Sequence, residues 1–199
     1  MTTPSSWDDS YTAATPAPWD IGRPQPAFVR LAAQGLLSGR VLDAGCGTGE
    51  HVLLAASHGA DATGVDLSPT AIEIARAKAT GRDLAARFEV GDALDLGPLA
   101  TSFGVIIDSG LFHTLSDENR PRYAASLASV LEPGGHVYLM CFSDRQPGDW
   151  GPRRVRQEEL RASFADGWAF DSITADVFDI NPVESETTVQ AWLADITRT

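Results

Sequence analysis

Residues 41–50 read Val-Leu-Asp-Ala-Gly-Cys-Gly-Thr-Gly-Glu, and residues 64–69 read Gly-Val-Asp-Leu-Ser-Pro. A short apolar run ends in Asp43, glycines at 45, 47 and 49 turn the chain, and a second apolar run ends in Asp66. Glycines let the main chain approach a ligand with no Cβ in the way, and a helix opening just after them presents unpaired N–H groups. This is the chemistry of a nucleotide-type cofactor site. Asp66 lies about 20 residues beyond the first glycine, where a carboxylate offers two acceptors to the two hydroxyls of a ribose. A dinucleotide site would read G-x-G-x-x-G and seat a pyrophosphate on the helix N-terminus. Here the third glycine comes one residue early, and Asp43 would repel a pyrophosphate but suit an ammonium, directly or through water.

The elements that must position these residues alternate. A first helix is predicted from Pro26 to Leu37, from the apolar spacing of Phe28, Leu31, Ala32 and Leu36. A strand follows at 40–44, a helix at about 50–58 and a second strand at 61–66. Ser68 caps the next helix with Pro69 in its first turn, and Gly81 ends it. Strand three is 87–90. Strand four, 103–108, is apolar on both faces like a buried parallel strand. A helix over 117–130, strand five over 136–142 and a helix over 157–164 come next. The runs 168–178 and 187–197 alternate as two long paired strands. Such a chain forms an α/β sheet with helices on both faces and its ligand at the carboxyl ends of the strands.

Composition narrows the class. With 199 residues and 43% apolar content the chain builds one domain with a substantial core. A formal net charge of −12 argues against a phosphate-backbone partner, so no nucleic acid is expected. The two cysteines, Cys46 and Cys141, have no ligand spacing, and no signal peptide is evident, which predicts reduced thiols, a cytoplasmic protein and no metal. No run approaches the roughly 18 apolar residues of a membrane span.

The glycine motif with its flanking acids resembles that of the class I S-adenosylmethionine-dependent methyltransferases. The resemblance implies a single-domain Rossmann-like fold, with seven strands in the order 3-2-1-4-5-7-6 and strand seven antiparallel. It implies S-adenosylmethionine as cofactor, with the methionine end against Asp43, Gly45, Cys46, Gly47, Gly49 and His51, the ribose on Asp66 beside Leu67, and the adenine near Asp92 and the Ala93 N–H. Asp108 would end strand four beside the transferable methyl. From sequence alone Asp92 also reads as a turn residue, Cys46 as a small buried filler, and His51 as a residue that contacts methionine or faces solvent.

Trp7, Tyr11 and Trp19-Asp20-Ile21-Gly22-Arg23-Pro24 precede the first helix. Together with Gly-Thr-Gly-Glu-His and Asp108-Ser-Gly-Leu-Phe-His113 they resemble the thiopurine, thiol and halide methyltransferase branch, and within it the actinobacterial small-molecule enzymes that include heterocyclic toxin (hydroxyquinolone) methyltransferases. By that resemblance residues 1–25 are an N-terminal lid ordered by the cofactor, and residues 26–199 the methyltransferase domain, able to fold from Pro26 onward. The implied activity is O-methylation of a small aromatic or heterocyclic hydroxyl, in detoxification or secondary metabolism, by a monomer or homodimer. Trp19, Phe112, His113 and Trp150 would wall the acceptor pocket, and His113 would be the catalytic base, because its ordinary pKa suits proton removal from a phenol or N-hydroxyl.

Other readings remain. S- or N-methylation would use the same alignment. A nucleic-acid amino-methyltransferase would want Asp-Pro-Pro-Tyr where this chain has Asp-Ser-Gly-Leu. An NAD-dependent oxidoreductase would want the longer glycine spacing. A non-catalytic module that only binds the cofactor would share every feature of the glycine loop.

Overall fold

The computed structural model describes residues 4–183 and 185–199, with the side chains of 4–6 left out. Seven strands form one sheet in the order β3-β2-β1-β4-β5-β7-β6. The strands are β1 (Arg40–Ala44), β2 (Asp61–Asp66), β3 (Ala86–Val90), β4 (Phe103–Ser109), β5 (Leu131–Phe142), β6 (Trp168–Val183) and β7 (Glu186–Arg198). β1 to β5 pair in parallel, while β7 runs antiparallel to both β5 and β6. The helices are α1 (Pro4–Thr12), α2 (Pro26–Ala33), α3 (Glu50–Ser57), α4 (Pro69–Gly81), α5 (Asn119–Val130) and α6 (Gln157–Ser163).

Alternation within the strands divides the core. Val41, Val105, Ile107, Met140 and Phe142 face α2, α3 and α4. Leu42, Ile106, Val137, Leu139 and Cys141 face α5 and α6. Both faces are therefore covered, which is why β1 and β4 read as continuous apolar runs. α4 starts as predicted: the Ala71 N–H donates to Ser68 Oγ at 3.0 Å, with Pro69 in the first turn.

Several element ends differ from expectation, β6 running on to Val183 among them, and three differences bear on the site's frame. α2 ends at Ala33, where the Gln34 N–H caps the last turn. β5 begins at Leu131, paired with Phe103, and the register shifts before Val105 meets His136, so Pro133-Gly134-Gly135 forms an irregular stretch of the strand. α1 was not expected at all, since its Ser-, Asp- and Thr-rich sequence has weak helix propensity. Tertiary contact supplies what propensity lacks: Asp8 accepts from Ser68 Oγ at 2.6 Å, from the Thr70 N–H at 3.0 Å and from Thr70 Oγ1 at 3.0 Å, docking α1 on the start of α4. Among the described residues no helix is long and apolar enough to cross a membrane.

Candidate active site

The loop between β1 and α3 is built on glycine. Gly49 sits at φ +86°, and a Cβ there would lie 2.7 Å from Phe88 and 2.8 Å from Ala75. At Gly47, φ +50°, a Cβ would meet the Tyr11 hydroxyl at 2.9 Å. Asp66 holds the loop from the neighbouring strand, its Oδ2 accepting from the Gly47 N–H and its Oδ1 from the Ser68 N–H, both at 2.8 Å. Each carboxylate oxygen accepts about two hydrogen bonds, so a lone pair remains on each for a diol. Burial raises the Asp66 pKa against these donors. Leu67 follows in the turn and is half-buried.

Asp43, 1% exposed at the end of β1, has no hydrogen-bond donor for either carboxylate oxygen among the described residues. Burial pushes its pKa well up, and repulsion from Asp108 and then Asp66 adds to this. A buried carboxylate with two orphaned oxygens is costly unless a cation or donor arrives. His51 Nδ1 stands 3.8 Å away. The His51 ring does not face solvent: its Nε2 accepts from the Gln25 N–H at 3.1 Å, and it packs edge-on to Phe28 with centroids 4.7 Å apart. Burial lowers its pKa to about 4, so the ring is neutral near pH 7 and carries its proton on Nδ1.

Asp92 lies beyond the end of β3, beside Asp66 through the Gly91 N–H to Asp66 carbonyl bond of 3.0 Å. It is exposed and accepts from the Leu94 N–H at 2.9 Å, while Ala93 next to it is buried. Its turn role is real and leaves its other oxygen available. Cys46 is buried, and burial raises its thiol pKa well above the ordinary value, with Asp43 and Asp66 adding to the shift. A Cβ on Gly64 would lie 2.7 Å from its sulfur, so Cys46 fills space against β2.

The N-terminal aromatics meet one another over this loop. Trp7 and Trp19 pack edge to face at 5.5 Å, and Trp19 Nε1 donates to the Tyr11 hydroxyl at 3.1 Å. The chain after α1 is stitched to β6. Asn181 Nδ2 donates to the Ala17 and Asp20 carbonyls, both at 2.8 Å. Gln25 exchanges two 2.8 Å bonds with the backbone of Asp179.

A second group of rings lies at the carboxyl ends of β4, β5 and β6. The His113 ring packs 4.8 Å from Phe142 and 6.2 Å from Phe178, and Phe142 packs 6.2 Å from Trp150. Leu111 links this group to the glycine loop, since a Cβ on Gly45 would lie 3.0 Å from its side chain.

A family model described as a methyltransferase domain matches residues 41–135. The chain is 39% identical over 165 residues to the 2-heptyl-1-hydroxyquinolin-4(1H)-one methyltransferase of Mycobacteroides abscessus, covering 81% of this chain and 72% of that protein. The chain belongs to the class I S-adenosylmethionine-dependent methyltransferases. It is also 33% identical over 155 residues to a probable thiol methyltransferase of Arabidopsis thaliana, covering 77% of this chain and 68% of that one. A solved structure concerned with conversion of a disulfide bond into a thioacetal group during echinomycin biosynthesis is 40% identical, with a TM-score of 0.89 over 99% of this chain and 92% of that one. The sheet order of this methyltransferase is the one its resemblance implied, and its cofactor is S-adenosylmethionine.

Two residues of the methyltransferase stand elsewhere than expected, and a third, His113, is placed as expected but bonded otherwise. Phe112 does not wall the pocket. It is fully buried on the α5 side of the sheet, 6.0 Å from Phe164 and under the Arg120 guanidinium, because a tight turn over residues 112–114 sends adjacent side chains to opposite sides. Asp108 points into its own loop. It accepts from the Leu111 and Phe112 N–H groups and, at 2.9 Å, from the Tyr123 hydroxyl, and burial raises its pKa to about 7.

His113 is placed at the ring cluster but is unsuited to be a base. Its Nδ1 accepts from the Phe142 N–H at 3.0 Å, so the neutral ring carries its proton on Nε2 and has no free lone pair. Burial lowers its pKa to about 3, with Arg120 and then Arg154 adding to the shift. Phe142, Phe178 and Arg154, none of them singled out from sequence, join the His113 ring cluster. The two phenylalanines read as ordinary strand residues, and nothing local marks which end of a strand meets a distant loop.

Proposed function

We propose that this methyltransferase methylates a heteroatom of a small, flat aromatic or heterocyclic acceptor, with the hydroxyl oxygen of a hydroxyquinolone-like or phenolic compound as the preferred atom. The observation that carries the cofactor half of this reading is Asp43, a buried carboxylate with two unpartnered oxygens beside a glycine cradle. In this assignment Asp43 holds the ammonium, Asp66 the ribose diol, and Asp92 with the Ala93 N–H the adenine edge, while Trp7, Tyr11 and Trp19 cover the bound cofactor as a lid. When bound, S-adenosylmethionine supplies an electrophilic sulfonium methyl that an acceptor lone pair attacks in line. The chain's own work is alignment and exclusion of water. Phe142, Phe178 and Trp150 give flat apolar walls beside the glycine loop, which suits a planar ring with few polar groups. His113 presents an Nε2–H donor to the acceptor.

Support for the oxygen acceptor comes from the hydroxyquinolone relative. Sulfur is the second reading, favoured by the thiol methyltransferase and by the structure from echinomycin biosynthesis. A panel of hydroxyquinolones, phenols, thiols and halide, turned over with labelled cofactor and read by product mass, separates them. Methyl ethers at the highest kcat/KM uphold the first reading, thioethers replace it with the second, and cofactor binding with no product from any acceptor leaves a binding module.

A further inference from the structure

We propose that the acceptor pocket takes its aromatic substrate as the anion, held between the Arg154 guanidinium and the His113 Nε2–H. This rests on the aromatic-acceptor reading above and specifies the charge state. Arg154 lies 5.7 Å from the centroid of Phe142 and 5.7 Å from that of Trp150, so it caps the two rings that wall the site. Its position is set by backbone carbonyls: it donates to Trp150, to Pro152 at 2.8 Å and to Pro147 at 3.3 Å. Its Nε is buried and has no partner. Among the described residues Arg154 makes no ion pair, whereas the neighbouring Arg153 pairs with both Asp117 and Glu159. What sets its uncompensated charge apart is its place over the two rings, next to His113. A planar guanidinium over aromatic faces is the arrangement that recognises a flat anion.

His113 adds the second pole. With Nδ1 occupied by the Phe142 N–H, the ring can only donate from Nε2, and that atom has no partner among the described residues. Gly110 leaves room beside it, since a Cβ there would come within 3.5 Å of Nε2. The charged groups around this ring are Arg120 on α5 and Arg154 on the loop before α6. Asp108 on β4 is turned to the Tyr123 side. Arg120 Nη1 stands 3.4 Å from Asp117 and 3.5 Å from Glu159, and although its Nε and Nη2 are buried without partners, its guanidinium lies over Phe112 on the α5 side of the sheet, which leaves Arg154 as the cation over the Phe142 and Trp150 rings. The acceptor proton goes to solvent before binding. The oxyanion lone pair then forms the O–CH3 bond as the S–CH3 bond breaks, the bonding pair returning to sulfur, and no base in the protein is required.

A nitrophenol tests this directly, because its ionisation is read from its visible absorption. The 199-residue protein is saturated with S-adenosylhomocysteine, and the pKa of the bound nitrophenol is compared with that of the free compound. We expect a fall of about one unit or more, a tenfold preference for the anion. Arg154→Met should abolish most of the fall and weaken nitrophenol binding about tenfold, Arg154→Lys should retain part of it, and the neutral nitroanisole should bind all three proteins alike. A bound pKa that is unchanged or raised, or a fall that survives in Arg154→Met, overturns the proposal. If neither nitrophenol nor nitroanisole binds at saturating concentration, the aromatic-acceptor reading fails and this proposal falls with it, whereas binding of both without a pKa change sinks the anion proposal alone.

Discussion

The Phe142 N–H donates to His113 Nδ1 at 3.0 Å, tying the last residue of β5 to the turn that follows β4. That one bond decides the tautomer of the histidine and with it the kind of catalysis open to the site. A proton acceptor would need the Nδ1 lone pair, which is taken. Turnover should therefore follow the ionisation of the acceptor itself. With two phenols of different pKa, the rise of kcat/KM with pH should move with the phenol, and His113→Asn, which keeps an acceptor and a donor, should retain more activity than His113→Ala. A profile that stays fixed near pH 6–7 for both phenols would restore the histidine as base.

His113 also sets an acid limit on stability. Its pKa of about 3 in the folded chain lies below the 6.5 of the free side chain, so below about pH 6.5 the unfolded state binds a proton that the folded state refuses. Stability from this group is complete above pH 6.5 and is lost as pH falls toward 3. The loss is about 1.4 kcal/mol per pH unit for one such proton. Asp108, raised to about 7 by burial, has the opposite sign, stabilising below the ordinary carboxylate range and losing this as pH rises through 7. Comparing urea unfolding of His113→Asn and the parent between pH 6.5 and 4.5 isolates the histidine. The variant should show the shallower acid decline, and parallel curves would refute it.

Asp43 should make cofactor binding pH-dependent. Burial and the neighbouring acids favour the neutral form of Asp43 in the free protein, whereas an ammonium favours the carboxylate. Binding should release a proton, and affinity should rise with pH. Calorimetry of S-adenosylmethionine in buffers of different ionisation enthalpy measures this release. Asp43→Asn should lose it and weaken binding by roughly tenfold or more, the worth of one charge-assisted hydrogen bond. Proton release unchanged in Asp43→Asn would move the titrating group elsewhere.

Gln25 is the point where the N-terminal segment becomes part of the fold. It is 2% exposed, pairs with both backbone groups of Asp179, and its own N–H goes to His51. A chain beginning at Pro26 would leave all of these unpaired, so it should melt lower than the 199-residue chain. Gln25→Ala alone should cost about 1 to 2 kcal/mol in chemical denaturation, because two part-buried backbone groups lose partners. Asp8→Ala should leave unfolding of the domain nearly unchanged but speed proteolysis of residues 4–12 and weaken cofactor binding.

Gly49→Ala should destabilise by about 3 kcal/mol or more, combining a left-handed backbone with contact against Phe88 and Ala75. Gly104→Ala, where a Cβ would meet nothing within 4 Å and φ lies outside the left-handed region, is the control and should be nearly neutral. Similar losses in the two variants would show that the glycine loop is not sterically constrained.

The sequence by itself determined whatever is local or periodic. The glycine loop, the two strand-end acids Asp43 and Asp66, the Ser68–Pro69 helix start and the doubly apolar strands are readable because backbone conformation and two-sided burial each leave a short-range pattern. The relation of Trp7, Tyr11 and Trp19 to a methyltransferase branch was legible from the run around Trp19 to Pro24. Only the tertiary structure decided matters set by pairing distant residues. Which nitrogen of His113 carries the proton depends on Phe142, and whether Phe112 walls a pocket depends on a turn that sends it toward Phe164. That Asp108 serves its own loop depends on Tyr123. The same holds for Arg154, a charge that composition counts but cannot place. Net charge describes the whole surface, whereas Coulomb attraction falls with distance and screening, so the field at the Phe142 and Trp150 rings is set by the one guanidinium that lies over them.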